Sequence, residues 1–315
     1  MKPLKSALAC TGALVVISAA LAQESTLPPL RVFGSMTTIE LSPVLVAANG
    51  IYPGPVTVSN GGVPNLTSGA ADVATNAETQ LLRQSVDDPD LRVIFTVTEN
   101  FYRIVARKSA GIQKVADLKG KRVTVPRNTS AAYFLAKMLA TAKLTEADVT
   151  IVPIDPANQM SAALKDGRVD AVAMWDPETA RAVMAVGDDA VVLQDKTVYR
   201  ELFNLNTSAK VLADPAKRKA VVEFLRSLIT ATERLQAKPQ DFWPYISTRV
   251  THPVDLLEKS WPELRFTNGI VPDLLNVLEE EEKWVAKERN RTPRTRAQLS
   301  TLIDASLLEE ARRPR

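Results

Sequence analysis

Short apolar runs alternate with stretches of helical periodicity over the first two thirds of the chain. The runs at 30–35, 56–60, 71–75, 91–97, 102–108, 121–126, 149–154, 169–175 and 190–194 are mostly rich in valine and isoleucine. They largely lack strict alternation, which is the pattern of strands buried on both faces in parallel sheets. Between them the spacing predicts helices over 38–49, 78–85, 130–143, 158–165 and 178–186. Turn signals such as "NGG", "DDPD", "KDGR" and "VGDD" separate the units. This order predicts an α/β fold with open sheets.

Beyond residue 206 the pattern changes. Asp214 and Pro215 form an N-cap and first-turn pair, and Lys238-Pro239 supplies a stop. Between these, Val221, Val222, Leu225, Leu228, Ile229 and Leu235 make one helical stripe. The rest of the chain reads as helices with proline-rich joints. In "PDLLNVLEEEEKWVAKERNR" the residues Leu274, Leu275, Val277, Leu278 and Trp284 are expected inward. The acidic run 279–282, beside Lys283, Lys287 and Arg289, is expected to be a solvated face.

The first 22 residues read as an export signal. Lys2 and Lys5 precede an apolar stretch that ends in Ala20-Leu21-Ala22, so cleavage after Ala22 is expected. That segment carries the only cysteine, Cys10, and two of the three net positive charges. The remaining chain is nearly neutral and has no general basicity to attract nucleic acid. No second apolar stretch is long enough to span a membrane, so a soluble periplasmic protein is expected. Its length suits two domains, because single cores stop growing near about 250–300 residues.

Much chemistry is excluded. A single histidine, His252, followed by Pro253, rules out the usual zinc sites and Cys-His catalysis; it is read as a surface loop residue. The glycines form neither a dinucleotide fingerprint nor a phosphate-cradling loop. No pair of carboxylates is singled out by spacing. No cofactor, metal or catalytic group is expected; the chain reads as a binding protein.

Ligands of open α/β sheets sit beyond the carboxyl ends of the strands. Four such loops stand out: Ser35, Thr37 and Thr38 after the first strand; Thr75 and Asn76; Arg127, Asn128, Thr129 and Ser130; and Trp175 with Asp176. Hydroxyl and amide groups at helix starts are ordinary N-caps. They also extend the donor array that a helix start offers to an electron-rich ligand. Trp175 reads equally as core or as pocket wall, and Arg127 as solvent-facing or ligand-pairing.

The segments "DLKGKRVTVPRNTS" and "ALKDGRVDAVAMWDPE", with "SMTTIELSPVLVAANGIY" and "NLTSGAADVAT" before them, resemble a known family. These are the solute-binding proteins of ABC importers in the aliphatic-sulfonate, taurine, nitrate and thiamine-precursor group. The resemblance implies a two-lobed, type 2 periplasmic-binding-protein fold with two hinge crossings, near "FYRIV" and "LFNLN". It places 28–103 and 205–315 in lobe 1 and 104–204 in lobe 2. A small polar solute, in the first instance a sulfonate-like anion, would be held between them by a monomer that docks on a permease with its ATPase. The alternatives are a thiamine-precursor pyrimidine as solute, or kinship with the pyrimidine-synthesising enzymes of the group, whose histidine and cysteine chemistry this chain lacks. By position the pocket residues would be Ser35, Thr37, Thr75, Asn76, Asn128, Thr129, Ser130, Trp175 and Asp176, with Tyr102 at the first crossing. Two departures matter. The connection over 50–65 is shorter than usual, and Asn128 stands where the family often has glycine.

Overall fold

A computed structural model describes residues 27–314. The expected signal segment, with Cys10 and the cleavage point after Ala22, lies outside the described residues. Among the described residues, eleven strands form two sheets. They are β1 Leu30–Gly34, β2 Val56–Asn60, β3 Val73–Ala77, β4 Leu91–Asn100, β5 Arg103–Arg107, β6 Arg122–Thr124, β7 Thr150–Ile151, β8 Ala171–Met174, β9 Ala190–Leu193, β10 Glu201–Ser208 and β11 Leu264–Gly269. The first sheet has the order β11-β4-β10-β3-β1-β2, and the second β7-β6-β8-β5-β9. The fold is two-lobed, one lobe around each sheet.

The chain passes between sheets twice. Phe101 and Tyr102 join β4 to β5, and the segment 194–200 joins β9 to β10. Pairing is parallel for β1 with β2 and β3, and for β6 with β7 and β8. It is antiparallel wherever β10, β11 or β5 takes part. The expectation of parallel strands therefore holds for the βαβ half of each sheet. The strands that follow a crossing, β5 and β10, run the other way, because a strand that arrives across a hinge enters its sheet from the opposite end.

Two strands escaped the sequence pattern. β10 is buried along its whole length yet carries Glu201, Asn204, Asn206, Thr207 and Ser208, polar groups whose burial only the neighbouring strands make tolerable. Asn206 Nδ2, for example, donates to Ala74 O on β3 at 3.2 Å. β11 lies in the tail that was expected to be helical, and pairs at the sheet edge with β4. The long helix Pro215–Ala237 matches its expectation, with Asp214 accepting from the N–H groups of Ala216 and Lys217 at 2.8 and 3.3 Å.

The acidic run needs correction. Within the helix Leu274–Glu288, Glu280 is exposed, but Glu281 and Glu282 are buried with Leu274, Leu278 and Val285 on the inward face. Their registers, seven and eight residues after Leu274, lie on that same stripe. Glu282 receives Arg291 Nη2 and Arg294 Nη2 at 3.0 Å each, and the Arg294 backbone N–H at 2.8 Å. Burial by itself would raise this carboxyl; the arginine hydrogen bonds outweigh it and hold the group at about 2. A carboxylate depressed in the folded state stabilises fully above its unfolded value, and loses that stabilisation as pH falls toward 2. Glu282→Gln is therefore expected to lower stability at pH 7 by about 3 kcal/mol. It should also flatten the part of the acid-unfolding curve between pH 4 and 2, both checked by denaturant titration across pH.

Candidate functional site

A cavity of about 400 Å³ lies between the sheets at the two crossings. One wall comes from the first lobe: Ser35, Thr38 and Glu40 follow β1, Asn76 and Ala77 end β3, and Gln80 belongs to the helix Glu78–Gln84. The facing wall is Asn128, Thr129 and Ser130 after β6, and Trp175 after β8. Tyr102 from one crossing and Glu201 with Phe203 from β10 form the floor. Of the residues singled out by sequence, the structure thus brings together Ser35, Asn76, Tyr102, Asn128, Thr129, Ser130 and Trp175.

Three others lie off the lining. Thr37 stands just outside, its hydroxyl 3.2 Å from Ser35 Oγ. Thr75 is fully buried in β3 beneath Gly34, where a Cβ would come within 2.6 Å of its hydroxyl. Asp176 is sealed behind Trp175 and receives Arg103 Nη2 at 2.7 and 2.8 Å, a bond that ties the end of β8 to β5. Arg127 is exposed to solvent.

The loop that opens the helix Ser130–Thr141 is built for display. Neither hydroxyl caps the helix: Thr129 Oγ1 donates to Pro126 O at 2.7 Å, and Ser130 Oγ lies 2.9 Å from Tyr102 OH. Asn128 has φ 58°, the left-handed conformation in which glycine is at ease and asparagine is among the better-tolerated alternatives. The departure from the family's glycine thus keeps the backbone turn. Asn128 O accepts from Gln80 Nε2 at 2.8 Å, a hydrogen bond across the cleft. Asn76 Oδ1 accepts the Val63 N–H at 2.7 Å, which turns its amide nitrogen toward the cavity. Gly62 makes that possible, since a Cβ there would sit 2.2 Å from Asn76 Oδ1.

Trp175 serves both of its expected roles. It packs on both hydrophobic clusters of the second lobe and stands 5.9 Å from Tyr102 between ring centroids, while also lining the cavity. Tyr102 also meets Phe134 and Tyr199 edge-on at 5.8 and 5.5 Å, so the aromatic wall is rigidly backed.

Sequence reading missed Glu40 and Glu201, two buried carboxyls 2 % exposed on the lining. They are 161 positions apart in the chain, and only the β4–β10 pairing brings them together. Burial pushes Glu201 well above the usual carboxylate range, and the Glu40 charge adds to it, so the pair retains a proton. Glu40 is raised as well, burial outweighing the hydrogen bond from Asn100. Among the described residues, no lysine, arginine or histidine lines the cavity. A signal existed in "TTIELS", a glutamate inside an otherwise apolar helix start, but periodicity alone does not mark it as facing a ligand.

His252 also differs from its expected surface role. It is 8 % exposed, with Nε2 2.9 Å from Thr37 O and Nδ1 3.3 Å from Arg181 Nη2. A carbonyl only accepts and a guanidinium only donates, so the ring carries its proton on Nε2. The histidine thereby bridges the first-lobe loop to the second-lobe helix Glu178–Val186 at the cleft margin.

The model of the family described as NMT1/THI5 like matches residues 56–242, more than half of the chain. The chain belongs to the NMT1/THI5-like family. An Escherichia coli relative named for binding aliphatic sulfonates is 32% identical over 111 residues, 35% of this chain and 34% of that protein. A Haemophilus influenzae relative named for thiamine biosynthesis is 28% identical over 178 residues, 55% and 54% of the two chains. The match thus spans only about a third to a half of these relatives' lengths. Among solved structures, the periplasmic aliphatic sulphonate binding protein SsuA from Escherichia coli superposes with TM-score 0.70 at 18% identity, covering 86% of this chain and 91% of that one. The desulfurization enzyme DSZB superposes with TM-score 0.63 at 13% identity, over 90% and 98%. At such identities the likeness establishes the fold, which is that of the periplasmic binding proteins.

The loop geometry yields two expectations. Asn128→Gly should leave the melting temperature within about 2 °C of the parent, whereas Asn128→Ala should lower stability by about 1 kcal/mol, the strain of an alanine in the left-handed region. Thr129→Ala with Ser130→Ala should weaken solute affinity more than it lowers the melting temperature, because neither hydroxyl caps the helix. Titration calorimetry and scanning calorimetry on the same samples check both.

Proposed function

We propose that this protein is an extracytoplasmic receptor that holds a small polar solute between its lobes, without altering it, and delivers it to the permease and ATPase of an ABC importer. The single observation that carries this reading is the cavity at the crossings, lined by loops of both lobes, by Tyr102 of the first crossing and by Glu201 and Phe203 of β10. In such a site, closure on the solute changes the surface a permease meets. The lobes are assigned as 28–103 with 205–315, and 104–204. The receptor acts as a monomer, exported by the segment 1–22. The absence of cysteine and histidine from the lining, among the described residues, supports binding over nucleophilic catalysis.

For the solute, the names of the sulfonate-binding relatives support a sulfonate-like anion. A second reading has a specific observation in its favour. Aromatic walls at Tyr102, Trp175 and Phe203, with carboxyl and amide groups at Glu40, Glu201, Asn76 and Gln80, suit the flat, donor-rich ring of a thiamine-precursor pyrimidine. The matching relative named for thiamine biosynthesis agrees with that reading.

Mass spectrometry of the solute released from purified protein by denaturation tests the receptor reading directly; a stoichiometric small molecule is expected. Trp175→Ala should weaken binding of that solute about tenfold through loss of ring contact. In thermal scans, hydroxymethylpyrimidine should raise the melting temperature and taurine should leave it unchanged if the pyrimidine reading holds; the reverse favours the sulfonate.

A further inference from the structure

We propose that the cavity selects its solute by charge: Glu40 and Glu201 together accept an organic cation that presents two N–H donors from one flat group, as an amidinium does. This inference rests on the receptor reading and narrows the class of solute.

The geometry is one-sided. The floor presents two carboxyls, and no fixed cation faces them from the lining. Glu40 Oε1 is held by Asn100 Nδ2. On Glu201, no N–H or O–H of the described residues reaches Oε2, although this atom is buried and the side chain lines the cavity. A buried carboxyl oxygen without a fixed donor is costly unless a ligand supplies one. Tyr102 OH and Ser130 Oγ satisfy each other at 2.9 Å. The lining thus ends on an unfilled carboxyl acceptor beside the aromatic rings of Tyr102, Trp175 and Phe203, surroundings that favour a flat cation over an anion.

An anion in the same place would meet two acids and no compensating side chain. A cation instead replaces the proton the pair retains. The carboxyl pair loses one proton to solvent as the cation's charge enters, so the net charge of the site is unchanged and no bond to carbon is made or broken. The surroundings oppose ionisation in the empty site. Glu201 faces Glu40, Glu78 and Tyr102, and Glu40 faces Glu201 and, farther off, Asp176, which is committed to Arg103. Glu78 is itself held by the Tyr199 hydroxyl at 2.6 Å and the Leu202 N–H at 2.8 Å, and pairs with Glu281 behind the floor, where Lys137 acts on Glu281. No cation among these groups is free to neutralise the pair, which keeps the proton available for displacement. Because both carboxyls are raised, cation affinity increases with pH until the pair has lost its proton.

The test uses the full chain and three probes of one shape: benzamidine, benzamide and benzenesulfonate. Benzamidine is expected to bind most tightly. Its calorimetric enthalpy should differ between phosphate and Tris buffers by the amount for one released proton, and its affinity should rise about tenfold per pH unit below the pair's titration. Glu201→Gln should lower benzamidine affinity about a hundredfold and abolish the buffer dependence. Circular dichroism and the melting temperature verify that the variant folds, and the pH series on the unaltered protein stands without it. Benzenesulfonate binding more tightly than benzamidine, benzamidine binding without proton release, or no benzamidine binding at all overturns the proposal. A co-purified anion also overturns it while leaving the receptor reading intact. Absence of any co-purified solute and of any response to all three probes overturns both.

Discussion

The structure depends on how it accommodates carboxyl groups buried where the chain crosses between its sheets. Glu40 and Glu201 meet at the cavity floor, and Glu78 meets Glu281 just behind. Burial and mutual repulsion raise these carboxyls, which favours a proton retained within each pair. Asn100 Nδ2 donates to Glu40, and the Tyr199 hydroxyl and the Leu202 N–H donate to Glu78. The aromatic cluster of Tyr102, Phe134, Trp175 and Tyr199 encloses them and lowers the local dielectric further. Cavity shape and cavity charge therefore have one origin.

A second set of contacts links the lobes around that floor. Gln80 reaches Asn128 O, and His252 spans Thr37 and Arg181. On the far side, the helix Leu274–Glu288 reaches the second lobe, with Glu280 paired to Lys137 and Trp284 tilted against Tyr133 at 5.2 Å between centroids. Trp284 also takes the Arg83 guanidinium at 5.2 Å, and Arg83 pairs with Glu288. This C-terminal helix touches the very helix whose first turn displays Thr129 and Ser130. The helix that carries the pocket loop is thus packed against a helix beyond the family's matched region.

The family resemblance and the site chemistry point in different directions on one matter. Sequence likeness to sulfonate-binding relatives covers about a third of the chain, and structural likeness at 18% identity speaks to the fold. Ligand preference resides in the few side chains of the site rather than in the fold, and two of the side chains lining this cavity are acids.

Much of the architecture was legible along the chain. Nine apolar runs mark nine strands, and capping chemistry at Asp214-Pro215 marks the start of the long helix. These features depend on local periodicity and on caps, which a sequence carries by itself. The strand-end rule likewise pointed to Ser35, Asn76, Asn128, Thr129, Ser130 and Trp175 as residues that share a cavity. Tertiary structure alone decided the rest. β10 is polar enough to look like a connection, and becomes a central strand because its amides find β3 and β4. Glu282 looked solvated until Arg291 and Arg294 were folded onto it, and His252 until Thr37 and Arg181 were. The Glu40–Glu201 pair exists only because strands distant in sequence lie side by side. Burial and pairing of polar groups are set by who the neighbours are in space, and no one-dimensional pattern contains that information.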